Sequence, residues 1–135
     1  MPSVLLDAGA LVAILNRNDH FHSEVTELLK EHQGAILTTC SVVAEACALV
    51  RASDQVRVLN WIIGAGIEVV SIDDGADFIR NVMTAYRDLP CDFADASIVY
   101  AAWKSHVRDV WTIDKHFFVY RLPDRSRFKI IPGRD

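Results

Sequence analysis

The chain has 135 residues, of which 51% are hydrophobic and 24% are charged, so it is long and apolar enough to fold around a buried core. This composition excludes an intrinsically disordered chain, and no apolar run reaches the ~18 residues that a membrane-spanning helix needs. The net charge of −4 argues against a surface that binds polyanions throughout, but residues 104–135 carry eight Lys and Arg against four Asp, a local charge of +4.

Short apolar runs alternate with helical patterns along the chain. In chain order they predict a strand over 3–7, a helix over 19–32, a strand over 35–39, helices over 41–52 and 54–65, a strand over 67–72, helices over 73–89 and 91–102, and strands over 109–114 and 128–131. The strands are continuous apolar runs, which is typical of a sheet buried on both faces. The sequence therefore predicts an α/β fold, a three-layer α/β/α sandwich with a mostly parallel five-stranded sheet, in one domain over residues 1–135.

Polar side chains stand where several of these helices begin. Ser41, Asp92, and either Asp73 or Asp74 are predicted as N-caps, because such side chains accept the free backbone N–H groups of a first helical turn.

The three cysteines predict a protein of the reducing cytoplasm. Cys40, Cys47 and Cys91 contain no C-x-x-C pair and are odd in number, which argues against a disulfide framework. Cys40 and Cys47 are seven residues apart, which predicts that both lie on one helix face and belong to the core.

The segment "CDFADASIVYAA" (91–102) places two carboxylates at the start of an apolar helix. Asp92 suits an N-cap and Asp95 suits the positive end of the helix dipole, so neither carboxylate by itself indicates a function. The interpretation depends on whether other acids converge on the same place.

Five carboxylates are predicted to meet at one edge of the sheet. Asp7 ends the first strand, Asp114 ends the fourth, and Asp92 and Asp95 begin the helix that leads into the fourth strand. Glu45 stands one turn into the helix after the second strand, in an apolar segment where a lone buried acid is unfavourable. Because functional residues of parallel sheets gather at the carboxyl ends of the strands, these acids predict a common site.

Carboxylates that gather without lysines repel one another, and a cation is what keeps them ionised together. Hard oxygen ligands suit magnesium or manganese, and such a metal activates water and neutralises charge on a phosphodiester. The sequence therefore predicts a metal-dependent hydrolase of phosphodiesters.

Four segments in order, "LLDAGALVAILNRNDHFH", "LTTCSVVAEACALV", "DLPCDFADASIVYAA" and "VWTIDKHFFVYR", followed by a short "FKIIP", resemble the PIN-domain family. The resemblance is closest to the VapC-like toxin ribonucleases of bacterial toxin–antitoxin pairs. It implies a sheet with strand order 3-2-1-4-5, hydrolysis of RNA with magnesium or manganese, a homodimer, and a cognate antitoxin protein that blocks the site.

The resemblance also implies roles for individual residues. The catalytic and metal-binding acids would be Asp7, Glu45, Asp95 and Asp114, with Asp92 as an accessory ligand. Many family members carry Ser or Thr directly after the first acid, where this chain has Ala8. Hydroxyl groups that could orient the acids instead are those of Thr112 and Ser97. Contacts with RNA are predicted for Lys115, His116 and Arg121.

Two other functions are compatible with the pattern. One is a non-catalytic interaction module with the same fold, since fold alone does not determine function. The other is a magnesium-dependent phosphotransfer domain. A haloacid-dehalogenase-type phosphatase needs a second Asp at position 9, and the residue there is Gly9, which argues against this enzyme. A receiver domain needs a lysine at the end of the last strand, but Lys129 lies inside that predicted strand, which argues against a receiver.

Overall fold

The computed structural model describes residues 2–131, and the side chains of residues 2–130. In chain order the elements are β1 (Val4–Leu6), α1 (Ala8–Leu15), α2 (His22–Glu31), β2 (Ile36–Thr39), α3 (Cys40–Ala48), α4 (Ala52–Gly64), β3 (Glu68–Val70), α5 (Ala76–Ala85), α6 (Phe93–Ser105), β4 (Asp109–Trp111), a 3₁₀ helix (Lys115–Phe118) and β5 (Lys129–Ile131). No helix within residues 2–131 is long and apolar enough to cross a membrane.

The five strands form one parallel sheet with the order β3-β2-β1-β4-β5, which confirms the predicted fold class and strand order. The central strand β1 is buried along its whole length, as its continuous apolar sequence predicts. In the register between β1 and β4, Leu6 lies opposite Trp111. The residues that follow these two therefore lie side by side at the carboxyl edge of the sheet.

Helix α6 is the most buried helix of the fold. Every residue from Ala94 to Ala102 is buried, because this helix packs against both α3 and α5 and touches β2. A helix that is apolar on all sides is stable only in such surroundings, and its small side chains allow the close packing. Its N-terminus is consequently fixed beside the ends of β1 and β2.

Three details of the sequence prediction are wrong. Thr39, not Ser41, caps α3, since its hydroxyl accepts the Val42 N–H at 3.3 Å. Helix α5 begins after Gly75 without a side-chain cap, so the predicted caps Asp73 and Asp74 lie in the preceding turn.

The pair of cysteines does not form a core face either, because Cys40 is exposed at the first position of α3 while Cys47 is half-buried. The predicted cap Asp92 is confirmed at the start of α6.

Candidate metal centre

Three carboxylates from separate parts of the chain converge at the carboxyl edge of the sheet. One oxygen atom each of Asp7, Asp95 and Asp114 lies within 4.8 Å of the other two. Asp7 follows β1, Asp114 follows β4, and Asp95 lies in the first turn of α6. Parallel pairing of β1 with β4 and the burial of the α6 N-terminus together bring these groups to one point.

Asp7 is held by two hydrogen bonds that fix its orientation. Its Oδ1 accepts the N–H of Ala8 at 2.8 Å, which caps α1, and its Oδ2 accepts the hydroxyl of Thr112 at 2.7 Å. The backbone N–H of Asp7 also donates to the carbonyl of Trp111 at 3.0 Å. Asp7 is therefore both a helix cap and a member of the cluster, so one carboxylate serves both roles.

Asp95 is buried in the first turn of α6, and Asp92 supports it from the cap position. The carboxylate of Asp92 accepts the backbone N–H of Asp95 at 2.8 Å, while Asp92 itself is exposed at the rim. The Tyr120 hydroxyl donates to Oδ2 of Asp95 at 3.2 Å. The sequence does not single out Tyr120, because a tyrosine inside the apolar run "HFFVYRL" has the pattern of an ordinary core residue.

Asp114 caps the 3₁₀ helix in the same manner. Its Oδ1 accepts the backbone N–H of His116 at 2.9 Å, and the imidazole Nδ1 of His116 lies 3.4 Å from the same oxygen. The Asp114 N–H donates to the hydroxyl of Thr112 at 2.9 Å. The Thr112 hydroxyl thus contacts both Asp7 and the backbone of Asp114.

The three converging acids open onto a cleft of about 180 Å³. Its lining comprises Asp7, Ala8, Gly9, Glu45, Leu49, Asp92, Asp95, Ile113 and Asp114, so all five predicted acids face one cavity. Glu45 is only half-buried, which corrects the expectation of a lone acid in an apolar interior. Its position in α3 is near the cavity wall, where solvent reaches the carboxyl group.

Burial and mutual repulsion raise the pKa values of three of these acids. Loss of solvation raises the pKa of Asp7 from 3.8 to about 6, opposed by the hydrogen bonds from Thr112 and Ala8. Burial and the charges of Asp7, Asp92 and Asp114 raise the pKa of Asp95 from 3.8 to about 7. Burial and the charge of Asp92 raise the pKa of Glu45 from 4.5 to about 7.

These properties fit a divalent cation. The donor set consists of carboxylate oxygens, the ligands that magnesium and manganese prefer, and the described lining contains no Lys or Arg to neutralise them. A bound cation would relieve the repulsion that keeps part of the cluster protonated near neutral pH. Asp7, Asp95 and Asp114 form a group able to hold such an ion.

The family model of the PIN domain matches residues 4–122 of this chain. The chain belongs to the PIN domain family. Ribonuclease VapC26 of Mycobacterium tuberculosis is 28% identical over 137 aligned residues, covering 96% of this chain and 100% of that protein. Among solved structures, the sarcin–ricin loop cleaving toxin VapC20 of Mycobacterium tuberculosis superposes with a TM-score of 0.73 over 83% of this chain and 90% of that one, at 16% identity. The resemblance to VapC-like PIN domains, drawn from the sequence, is confirmed.

The basic residues predicted to bind substrate flank the PIN-domain cleft without lining it. Lys115 is exposed and His116 half-buried in the 3₁₀ helix, directly after Asp114. The guanidinium of Arg121 is engaged within its own segment, where Nη1 donates to the carbonyl oxygens of Phe118, Val119 and Tyr120 at 2.8, 2.8 and 3.0 Å. Arg121 therefore stabilises the end of the 3₁₀ helix, in addition to any contact with substrate.

Ser97 does not orient an acid of this PIN domain as the sequence suggested. Among the described residues, its hydroxyl donates to the carbonyl of Ala94 at 2.6 Å and contacts the hydroxyls of Thr39 at 2.7 Å and Ser41 at 2.6 Å. The physical reason is helical geometry, since Ser97 is two residues beyond Asp95 and projects from a different side of α6, toward α3. Its role in the structure is to join α6 to the start of α3.

Proposed function

We propose that this PIN domain is a metal-dependent endoribonuclease and the toxin of a toxin–antitoxin pair. The convergence of Asp7, Asp95 and Asp114 within 4.8 Å carries the proposal, because it supplies the oxygen donors that phosphodiester hydrolysis with a divalent metal requires. The ribonuclease that is 28% identical over nearly the whole chain supports the choice of RNA as substrate.

Asp7, Asp95 and Asp114 would hold magnesium or manganese, and Glu45 and Asp92 would complete the acidic ring or help to hold a second ion. The bound cation would act as a Lewis acid toward the phosphodiester and lower the pKa of a coordinated water. The residues of the chain keep the donor oxygens in place through the hydrogen bonds to Asp7 and Asp95, and the caps at α1 and α6 restrict their motion.

Contacts with the RNA backbone fall to Lys115, His116 and Arg121. Lys115 is exposed and follows Asp114 directly, so its ammonium group is able to approach a phosphate next to the cleft. The local charge of +4 over residues 104–135 favours a polyanion on this side of an otherwise acidic chain.

The proposal also includes the oligomeric state, the cellular compartment and the protein partner that the resemblance implies. The protein would be a homodimer of single PIN domains in the cytoplasm, and a cognate antitoxin protein would cover the cleft. The free thiols of Cys40, Cys47 and Cys91 are consistent with a reducing compartment.

The phosphatase alternative receives no support from the site. A side chain at position 9 would place its Cβ 2.7 Å from Cγ1 of Ile113, so a second aspartate there would displace that residue. A receiver-type lysine is also missing from the described lining, because Lys129 lies in β5.

The test is cleavage of fluorescent RNAs by the purified protein in magnesium, in manganese and in EDTA. The panel includes single-stranded RNAs and a sarcin–ricin stem-loop, the structure that VapC20 cleaves. Asp7→Ala and Asp95→Ala are expected to abolish cutting, while Asp74→Asn, an exposed acid after β3, retains it. Circular dichroism establishes that all variants fold. Cutting that persists in EDTA or in both alanine variants would contradict the proposal, and a complete lack of cutting across the panel would favour the non-catalytic module.

A further inference from the structure

One short segment supplies a hydrogen-bond donor to each of the three converging carboxylates. The donors are four residues apart, and the pairs are Thr112 Oγ1 to Asp7 Oδ2 at 2.7 Å, His116 N to Asp114 Oδ1 at 2.9 Å, and Tyr120 Oη to Asp95 Oδ2 at 3.2 Å. The segment begins at the end of β4 and continues through the 3₁₀ helix. The geometry of the whole cluster therefore depends on residues 112–120, although this segment bears only one of the three acids, Asp114.

Tyr120 is the last of these donors, and its ring is packed in the core. Its side chain is completely buried, and its ring makes edge-to-face contacts with Tyr86 and Phe117 at centroid distances of 5.1 and 5.0 Å. A ring packed in this way has no space to rotate, so the direction of the hydroxyl is determined by the core.

The orientation of the Asp95 carboxylate depends on a hydrogen bond from outside α6. The backbone of Asp95 is held by α6 and by the Asp92 cap, but neither contact engages the carboxylate of Asp95. The hydrogen bond from Tyr120 engages Oδ2 and leaves Oδ1 available to a cation.

We propose that Tyr120 is a positioning residue for the divalent cation, because its hydroxyl fixes the carboxylate of Asp95 in the cluster. This inference rests on the proposed metal-dependent function and deepens it. Tyr120 touches neither metal nor RNA in this role, and it acts only through Asp95. A purely structural Tyr120 would contribute its ring to the core and nothing to metal affinity.

The test compares Tyr120→Phe with Tyr86→Phe. The first removes only the hydroxyl that reaches Asp95. The second removes the hydroxyl of the adjacent ring, which accepts the Arg121 N–H at 3.0 Å and hydrogen-bonds no carboxylate within residues 2–130. Calorimetric titration of each metal-free variant with Mn²⁺ gives the dissociation constant. We expect Tyr120→Phe to bind Mn²⁺ about 10- to 100-fold more weakly than the wild type, and Tyr86→Phe to match the wild type.

Kinetics supply a second measurement. At fixed, subsaturating Mn²⁺, Tyr120→Phe is expected to lower kcat with little change in the KM for RNA, and higher Mn²⁺ should restore part of the loss. Thermal unfolding shows that both phenylalanine variants fold.

Equal Mn²⁺ affinity in Tyr120→Phe and the wild type would overturn the inference, and so would equal weakening in both phenylalanine variants, since that indicates a general effect on packing. If the wild type binds Mn²⁺ and Tyr120→Phe binds it more weakly, but neither cuts any RNA, the positioning role stands and the ribonuclease proposal fails. If the wild type cuts RNA with metal and Tyr120→Phe behaves identically, the ribonuclease proposal stands and the positioning role fails.

Discussion

The hydroxyl of Thr112 donates a hydrogen bond to Oδ2 of Asp7 at 2.7 Å, although the two residues are 105 positions apart in the chain. The contact follows from the pairing of Leu6 with Trp111, the last residues of β1 and β4, because Asp7 and Thr112 come directly after them and so lie side by side. The hydroxyl also accepts the N–H of Asp114 at 2.9 Å. One side chain thus links two of the three acids that would hold a metal.

Thr112→Val is expected to weaken Mn²⁺ binding by about 10- to 100-fold, because it removes a donor to Asp7 at nearly constant volume. Without that donor the pKa of Asp7 rises above its present value of about 6, so less of the metal-binding form is present. Calorimetry with Mn²⁺ measures the change. Thr112→Ser keeps the hydroxyl and should stay close to the wild type, and a loss in Thr112→Ser equal to that in Thr112→Val would contradict this role of the hydroxyl.

Asp7→Asn is expected to stabilise the metal-free protein at pH 8 while it abolishes activity. Burial raises the pKa of Asp7 from 3.8 to about 6, so the folded protein binds the Asp7 proton more tightly than the unfolded chain does. The contribution of protonated Asp7 to the free energy of unfolding is therefore present below pH ~4 and is lost as the pH rises through 6. A shift of this size corresponds to ~3 kcal/mol, of which we expect ~1–2 kcal/mol to appear, since Asn accepts through one oxygen only.

Urea unfolding in EDTA at pH 4.5 and at pH 8 measures this effect. The gain should be present at pH 8 and nearly absent at pH 4.5, and Asp74→Asn should change the free energy of unfolding by less than ~0.5 kcal/mol at either pH. A destabilised Asp7→Asn at pH 8 would show that ionised Asp7 is not strained by burial.

Metal binding is expected to strengthen as the pH rises from 6 to 8. In the metal-free protein the pKa values of Asp95 and Glu45 are raised to about 7, and a carboxylic acid must lose its proton before it binds a cation. The Mn²⁺ affinity should increase by about tenfold or more over this range, with release of protons. Calorimetry in two buffers of different ionisation enthalpy counts the protons, and an affinity independent of pH would disprove the raised pKa values.

Ser97→Ala is expected to destabilise the fold without changing metal affinity. The buried hydroxyl of Ser97 contacts those of Thr39 and Ser41, so its removal takes one hydrogen-bond partner from each of these hydroxyls and leaves them bonded to each other across 3.0 Å. The expected cost is ~1–3 kcal/mol in urea unfolding. Ser53→Ala, at an exposed position of α4, is the matched control. A loss of Mn²⁺ affinity at unchanged stability would restore the orienting role that the sequence suggested.

Lys115→Gln is expected to weaken RNA binding uniformly across sequences and to reduce the slope of log affinity against log salt by about one. Lys115 is exposed beside Asp114, whereas the control, Lys30→Gln, removes an exposed lysine of α2 that pairs with Glu27. Binding is measured by fluorescence anisotropy in calcium with the Asp7→Ala variant, which prevents cleavage. An unchanged slope would remove Lys115 from the RNA contacts.

The sequence by itself determined the fold class and the edge at which the acids gather. Continuous apolar strands that alternate with helical patterns indicate a parallel sheet, and in a parallel sheet the carboxyl ends of all strands lie at the same edge. Asp7 and Asp114 follow strands and Asp95 begins a helix, so their convergence could be predicted from their places in the chain.

Only the tertiary structure decided how the acids are held and how far each is buried. Glu45 stands in an apolar sequence yet is half-buried, because α3 presents it at the cavity wall. The partners of two buried hydroxyl groups could not be predicted from the sequence either. The hydroxyl of Ser97 contacts Thr39 and Ser41 instead of an acid. The apolar run around Tyr120 does not indicate that its hydroxyl reaches Asp95, 25 residues earlier in the chain. A hydrogen bond forms or fails within a few tenths of an ångström, and distances of that order between remote segments arise only when the whole core is packed.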